Sequence, residues 1–328
     1  MLGSKRMTEV DIVKSIGILL MIMGHIEFGV IFDFYIHAFH MPLFFIVAGF
    51  LYNDKKIGFG EYSLQKIRTL LVPYVCVGLF HYVIKLPYII HANDDLLNPL
   101  IHLLYNNSDN LPIAGALWFL TALFFAYELM FLIRKIYSIG IQVVLTIAIV
   151  IAGYVLSKFL ILPWSIGQAL TCFGFVYIGW LVKVKYQKVL SCIYIDLLMV
   201  VIGFVVASFN SYINVRNAQY GNLIAFYAAS LLIVFGIQGV IRQLLNYIPN
   251  GIISHIQYIG INSLVYMCFN QLIVWLPNKI FGHFSGFILF LLKIAELIIA
   301  LLILKIVTLC LNNSWLWRLI VGRELNKK

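Results

Sequence analysis

The sequence has 328 residues, of which 62% are hydrophobic and 11% are charged. A soluble domain carries about 25% charged residues and could not bury this much apolar surface, so a water-soluble fold is excluded. The formal net charge of +10 does not indicate nucleic-acid binding either, because the basic residues do not gather into one patch interleaved with aromatic residues. The composition predicts an integral membrane protein.

Apolar runs bounded by charged residues, Pro, Asn or Gly predict the membrane-spanning helices, each of which needs ~20 residues. In chain order the runs are 11–31, 38–53, 69–90, 114–133, 140–158, 164–182, 190–209, 222–241, 258–278 and 285–311. The second run is short for a full crossing and has Pro42 near its start. The predicted fold class is therefore all-α: one polytopic bundle of about ten transmembrane helices. We expect a single domain over residues 1–328, with short tails at 1–10 and 312–328.

The basic residues predict the orientation, because Lys and Arg accumulate in cytoplasmic loops. If the N- and C-termini are both cytoplasmic, most of the 23 Lys and Arg residues fall on the cytoplasmic side. The exceptions at or near the outer face are Lys85, Lys158, Arg216 and Lys279. The longest outer loop, residues 91–112, has Asp94, Asp95 and Asp109 but no Lys or Arg, and is long enough to shape an external substrate site.

Three ionisable residues lie on one stripe of the first span. Lys14 and His25 are about three helical turns apart and share a face, and Asp11 lies within roughly 40° of that face. The rise of ~1.5 Å per residue places His25 about 16 Å beyond Lys14, inside the bilayer, where an ionisable side chain usually meets a cavity or a partner. His25 is the leading catalytic candidate, with an interhelical hydrogen bond as its alternative role. Lys14 either binds a ligand or snorkels to the interface, and Asp11 either has a ligand-side role or pairs with Lys14 at i, i+3.

A second group of polar residues surrounds the second span. His40 stands beside Met41 and Pro42 in an aromatic run, and a basic segment containing Lys66 and Arg68 follows the span. The phenylalanines of the run are typical interfacial anchors, whereas His40 either lines a site or is structural. Lys66 and Arg68 either bind an anion or simply mark a cytoplasmic loop.

These residues form part of a longer pattern. It consists of Asp11-x-x-Lys14 followed by His25, the run 39–45 (FHMPLFF) with 48–50 (AGF), the run 66–74 (KIRTLLVPY) and the run 117–120 (LWFL). The pattern resembles the membrane-bound acyltransferase 3 family, particularly its sugar O-acetyltransferase branch. A weaker resemblance continues through 214–216, 220–222 and 260–264, so it spans most of the chain. Many family members have Arg at the position of Lys14, and several have His at that of Asn270.

The resemblance implies transfer of an acyl group, usually acetyl, from cytoplasmic acyl-CoA to a hydroxyl of a surface glycan or its lipid-linked precursor. It implies a multi-pass protein of a bacterial-type cytoplasmic (inner) membrane. It also implies no bound metal and no permanent cofactor, with acetyl-CoA or another acyl-CoA as co-substrate. The bilayer and a saccharide are the other expected partners, and whether the chain forms a homo-oligomer is left open.

Under this resemblance His25 would accept the proton of the acceptor hydroxyl or briefly carry the acyl group itself. The residues implied to bind the acyl donor are Asp11, Lys14, Lys66 and Arg68. Those implied to contact the acceptor or line the pocket are His40, Trp118, Arg216, Tyr220 and Asn222. An interface anchor explains Trp118 equally well, and loop polarity explains the last three.

Two other functions fit parts of the sequence. A transporter or flippase of glycan intermediates would use His25 and Lys14 on a proton or substrate path. An intramembrane metal enzyme would use His25, His37 and His40, but these lack carboxylate or cysteine partners at ligand spacing.

Overall fold

The computed structural model describes residues 8–105, 114–185, 192–281 and 285–322. Within these ranges the α-helices are α1 Thr8–Ile26, α2 Val30–His37, α3 His40–Leu51, α4 Phe59–Lys66, α5 Val72–His91, α6 Asn98–Leu104, α7 Trp118–Ile133, α8 Ile139–Phe159, α9 Ile166–Lys185, α10 Ile193–Ser208, α11 Leu223–Leu244, α12 Asn250–Ile261, α13 Ser263–Phe281, α14 Gly286–Asn313 and α15 Trp315–Ile320. The same residues form no strand, only an isolated bridge between Asn214 and Gln219. The all-α prediction is confirmed.

Most of the predicted spans correspond to helices that can cross a membrane. In the described part of the chain, the helices long and apolar enough to do so are Val30–Leu51, Phe59–His91, Gly115–Ile133, Ile139–Phe159, Pro163–Val184, Leu223–Leu244 and Gly286–Asn313. The pair Asn250–Ile261 and Ser263–Trp275, bent by 77°, adds an eighth if it is counted as one span.

Two other predicted spans, α1 and α10, are not among these helices, α1 because of its charged residues and α10 because of its length. α1 carries Glu9, Asp11 and Lys14, and α10 has only 16 residues. The count of ten and the cytoplasmic side of both termini stay predictions. Several basic residues on which the orientation rests lie outside the described residues: Lys5, Arg6, Lys188, Arg323, Lys327 and Lys328.

The first two predicted spans have different limits in the structure. α1 ends at Ile26 rather than near residue 31, because Glu27 (φ 62°) and Gly29 (φ 129°) adopt backbone angles that an α-helix cannot continue through. The second span begins at Val30 instead of residue 38 and is broken by a turn between α2 and α3. With its 22 residues it is long enough to cross.

The third predicted span begins earlier than expected, at α4. The chain passes from α4 through a π-helical turn, Ile67–Leu71, into α5. Pro73 has no N–H and cannot donate the α-helical hydrogen bond to the carbonyl of Thr69, so a wider turn fits the chain at this point. Lys66 ends α4 and Arg68 lies within the π turn.

The predicted outer loop contains a short helix. α6 lies within it, and Asp95 precedes the helix with its Oδ1 accepting a hydrogen bond from the Leu97 N–H at 2.8 Å. The Trp164 Nε1–H donates to the carbonyl of Leu104 at 2.6 Å and holds the end of α6. Asp109, which the sequence placed in this loop, lies outside the described residues.

The helices form two compact units. Unit 1 contains the described residues of Met1–Leu51, Ile178–Val215 and Gln219–Tyr266, and unit 2 those of Tyr52–Tyr177, Arg216–Ala218 and Met267–Lys328. The prediction of one domain over the whole chain stays a prediction.

In unit 1, α1 packs closely against α12. The Ser15 hydroxyl donates to the carbonyl of Ile256 at 2.6 Å, and Gly260 lies so near α1 that a Cβ there would overlap the carbonyl oxygen of Asp11. A small residue at the contact lets the two helix backbones approach, as is usual between membrane helices. The stripe that carries Asp11, Lys14 and His25 is thus held against α12 at its N-terminal half.

In unit 2, polar side chains join α4, α7 and α8. The Ser63 hydroxyl donates to Glu128 Oε2 at 2.5 Å and ties α4 to α7. The Arg134 guanidinium donates to both oxygens of Asp54, at 3.1 and 2.9 Å, and to Gln142 Oε1 on α8 at 3.1 Å. The ends of these helices are therefore fixed by charge-assisted bonds.

Gly260→Ala should destabilise unit 1, because the added methyl group must push α12 away from the Asp11 carbonyl. Overpacking of this kind costs about 1–3 kcal/mol. The measurement is the unfolding midpoint of the purified protein in detergent. Gly251→Ala is the matched control on the same helix, since nothing lies within 4 Å of a Cβ at residue 251. Equal midpoints for the two variants would contradict the close contact.

Candidate active site

The predicted site residues are divided between the two units. Unit 1 holds Asp11, Lys14, His25, His40, Tyr220 and Asn222, and unit 2 holds Lys66, Arg68, Trp118 and Arg216.

Asp11 and Lys14 form an ion pair on α1. Lys14 Nζ lies 2.8 Å from Asp11 Oδ1, and the Gln257 amide on α12 donates to Asp11 Oδ2 at 3.2 Å. The i, i+3 pairing that the sequence left as one alternative is therefore present. The Asp11 carboxylate, with only 6% of its side chain exposed, has two partners, and the Lys14 ammonium lies beside a compensating negative charge.

His25 lies in the last turn of α1 and is half-buried. It is about 16 Å along the helix axis from Lys14, because eleven residues separate them in one continuous helix. It interacts electrostatically with His40, as does His37. The structure thus brings two predicted residues, His25 and His40, into one neighbourhood together with a third imidazole.

The hydrogen bond of His40 fixes its tautomer. His40 is 6% exposed at the start of α3, and its Nδ1 lies 2.7 Å from the carbonyl oxygen of Ile36. A carbonyl only accepts, so Nδ1 carries the proton and Nε2 of the neutral ring is an acceptor. The His37 ring meets that of His40 edge-on, with centroids 4.8 Å apart.

A carboxylate and a phenol complete this cluster. His37 Nδ1 lies 3.1 Å from Asp33 Oδ1, and the Tyr212 hydroxyl donates to Asp33 Oδ2 at 2.7 Å. Neither Asp33 nor Tyr212 is among the residues predicted from the sequence. The i, i+4 spacing of Asp33 and His37 on α2 was a usable signal, but Tyr212 is 179 residues away from Asp33 and had none.

No group of three His, Cys, Asp or Glu side chains in the described ranges is arranged to hold a metal ion. The imidazole cluster therefore gives the metal-enzyme alternative no ligand set there. The cluster holds the His37 and His40 rings, with His25 in electrostatic reach of His40 and the Asp33 carboxylate beside His37.

The two predicted cations of unit 2 differ in their surroundings. Arg68 is exposed and makes no hydrogen bond or ion pair with the residues that the structure describes. Lys66 is half-buried, with its ammonium over the ring of Tyr127. Arg68 is therefore accessible to an anionic ligand, whereas Lys66 is held by aromatic side chains.

Arg216 and Trp118 lie at the segment that begins α7. The Arg216 guanidinium packs against Gly115, where a Cβ would overlap Nη1, and the Gln168 amide donates to the Arg216 carbonyl at 2.7 Å. Trp118, the first residue of α7, is 4% exposed and packs edge-on against Phe119. Because Gly115 has no side chain, the Arg216 guanidinium can pack at this position, three residues before Trp118.

Tyr220 and Asn222 have identifiable structural contacts. Tyr220 is buried with its ring 5.6 Å from that of Phe226. Asn222 is the N-cap of α11, and its Oδ1 accepts hydrogen bonds from the Ile224 and Ala225 N–H groups, both at 3.0 Å. Their predicted contact with an acceptor stays a prediction.

The fold defines a class, a multi-pass helical membrane protein, and unit 1 adds a cluster of imidazoles to it. A comparison with protein families then matches residues 7–312 to the acyltransferase 3 family, described as an acyltransferase domain. The chain belongs to this family and is a membrane acyltransferase. Neither the curated proteins nor the solved structures give a match.

Asn222→Ala should lower the free energy of unfolding by about 1 kcal/mol, because two N–H groups of α11 lose their capping oxygen. Asn222→Asp keeps that oxygen and should retain the stability. Unfolding in a denaturing detergent gives both values. An equal loss of unfolding free energy in the two variants would show that Asn222 does not stabilise the protein as a helix cap. If Asn222→Asp is stable, its activity in a transfer assay tests the predicted acceptor contact separately from stability.

Proposed function

We propose that the protein transfers an acyl group, acetyl in the simplest case, from acyl-CoA to a hydroxyl of a cell-surface glycan or its lipid-linked precursor. The acyl-CoA is cytoplasmic, and the enzyme lies in the cytoplasmic membrane of a bacterial-type cell. The observation that carries the proposal is a family match over nearly the whole chain in a protein whose first helix ends at an imidazole. The O-acetyltransferase branch, acyl-CoA and the glycan come from the sequence resemblance.

In the proposed reaction His25 is the general base. Its imidazole accepts the proton of the acceptor hydroxyl while the hydroxyl oxygen bonds to the thioester carbonyl carbon. The carbon–sulfur bond then breaks, and the coenzyme A thiolate leaves and takes the proton from His25. A histidine side chain in water titrates at about pH 6.5, so an imidazole can both accept and return a proton near neutral pH.

The donor is a polyanion, so the proposal assigns its phosphates to cationic side chains. Arg68 is exposed and has five N–H donors that match phosphate geometry. Lys66 lies two residues earlier and adds a second positive charge. The Asp11–Lys14 pair is assigned to the donor side as well, but its ammonium already has a carboxylate partner at 2.8 Å. We therefore expect Arg68 and Lys66 to contribute more to donor affinity than Lys14.

The acceptor is proposed to meet residues that carry hydrogen-bonding or aromatic surfaces: His40, Trp118, Arg216, Tyr220 and Asn222. Of these, Arg216 is the one with a permanent positive charge, and its guanidinium packs against Gly115. A guanidinium would recognise an anionic or hydroxyl-rich saccharide by paired hydrogen bonds.

His25→Ala should abolish acetyl transfer while leaving the protein folded, because one half-buried imidazole is a small part of the packing. The assay follows thiol release from acetyl-CoA, and labelled acetyl entering the glycan fraction, with purified protein in liposomes. His255→Ala is the matched control, since His255 is exposed and, among the described residues, bonds within its own helix, to the Gly251 carbonyl at 2.7 Å.

Loss of transfer in His25→Ala alone supports the proposal. Full transfer by that variant would remove His25 from the mechanism. Failure of the folded wild-type protein to bind or turn over acetyl-CoA would overturn the proposed donor and favour a flippase of glycan intermediates.

A further inference from the structure

The ammonium group of Lys66 lies against two aromatic rings, those of Tyr127 and Tyr62, which we call the aromatic box. Its Nζ is 3.5 Å from the centroid of the Tyr127 ring on α7 and 5.4 Å from that of the Tyr62 ring on α4. Both distances are within the range of a cation–π interaction. The first is a close face contact, so Tyr127 determines where the end of this long side chain lies.

The ammonium is held without being neutralised. Among the residues that the structure describes, its nitrogen has no hydrogen-bond partner and no carboxylate at ion-pair distance. A lysine ammonium has three N–H donors, and those that do not point at the ring face stay available to an anion. This contrasts with Lys14, whose ammonium contacts Asp11 at 2.8 Å. The charge on Lys66 remains able to bind an anion.

The rings that form the box are themselves fixed. Tyr62 stacks on Phe131 with centroids 4.5 Å apart, and Tyr127 stacks on Tyr52 at 6.4 Å. Burial raises the pKa of Tyr52 to about 12, with the Asp54 carboxylate acting in the same direction, so this phenol stays neutral. The ring that stacks on Tyr127 therefore carries no negative charge.

Glu128 links the two helices that carry the aromatic box. It follows Tyr127 on α7, is 9% exposed, and accepts the hydrogen bond from Ser63 on α4 at 2.5 Å. Its other oxygen, Oε1, has no hydrogen-bond partner in the described part of the chain. The carboxylate also attracts the Lys66 ammonium, whereas the Lys55 ammonium repels it. Glu128 thus joins the helix of Lys66 to the helix of Tyr127.

We propose that Tyr127 is a positioning residue for Lys66, which it holds over its ring so that the charged ammonium is ready to bind a phosphate group of the acyl-CoA donor. This inference rests on the proposed function, because it takes acyl-CoA as the donor. A lysine side chain has large rotamer entropy, and a ring that restricts it before binding lowers the entropy lost when a phosphate arrives. Tyr127 acts through Lys66 and needs no contact of its own with the donor.

The test compares acetyl-CoA binding by variants of the full-length protein in nanodiscs. Tyr127→Leu removes the aromatic face and should raise the Kd by about tenfold, within the range of a desolvated cation–π contact. Tyr127→Phe keeps the face and should stay within about twofold of wild type. Tyr154→Leu is the matched control, because Lys158 Nζ lies 4.2 Å from the Tyr154 ring in the same kind of pair on α8. It should not change the Kd.

A double variant separates positioning from structure. Lys66→Met removes the charge, and Lys66→Met with Tyr127→Leu should bind no more weakly than Lys66→Met alone, because Tyr127 has nothing left to position. If Tyr127→Leu does not fold, Tyr127→Met can replace it in both comparisons, because it also removes the ring face. Unchanged acetyl-CoA affinity in Lys66→Met alone would overturn the inference. Fully additive effects of Tyr127→Leu and Lys66→Met would overturn the inference.

Binding of 3′-dephospho-CoA identifies the phosphate. If Tyr127→Leu weakens acetyl-CoA but not 3′-dephospho-CoA, Lys66 meets the 3′-phosphate; if it weakens both equally, Lys66 meets the pyrophosphate. Either result supports the inference. Unchanged acetyl-CoA affinity in Tyr127→Leu, or an equal loss in Tyr127→Phe, overturns it while leaving the proposed function intact. No acetyl-CoA binding by the wild-type protein overturns both.

Discussion

Placing an ionisable side chain in apolar surroundings costs free energy unless a partner compensates it, and α1 is organised by this constraint. Its N-terminal half has three charged residues, and each has a partner. Asp11 pairs with Lys14 on the same helix and with Gln257 on α12. Glu9 receives two hydrogen bonds from Arg242 on α11, at 2.9 and 3.1 Å. These contacts fix α1 within unit 1, and the position of His25 at its far end depends on them.

The two lysines assigned to the donor illustrate two solutions to the same constraint. Lys14 is compensated by a carboxylate, which lowers the cost of burial but also reduces its attraction for another anion. Lys66 is placed against the electron-rich face of Tyr127, which stabilises the cation and leaves its net charge intact. The two lysines therefore differ in how strongly they can attract an anionic ligand, and the difference comes from the side chains around them.

The features predicted correctly from the sequence are those that depend on residues close together in the chain, such as helices and ion pairs within one helix. Uniform apolar runs located α7, α8 and α14 within a few residues, and the i, i+3 spacing anticipated the pair of Asp11 and Lys14. The sequence did not predict the bend of 77° between α12 and α13, since hydropathy continues through the bend at Asn262. It also could not predict Gln257 beside Asp11 or Tyr127 over Lys66, because those contacts join residues far apart in the chain. Their positions in apolar runs and the resemblance both indicated His25 and His40, whereas the contact between Asp33 and Tyr212 appears only once the helices are packed.

The cluster around His40 bears on how a base could work in apolar surroundings. A proton taken up by His25 adds a positive charge there, and that charge needs compensation. His40 lies within electrostatic reach of both His25 and His37, and it presents a neutral acceptor at Nε2 because its Nδ1–H is bound to a backbone carbonyl. Asp33 supplies the negative charge, held in place by Tyr212. In the proposed reaction the negative charge of Asp33 would lower the free-energy cost of the His25 imidazolium, so the residues around His25 affect its strength as a base.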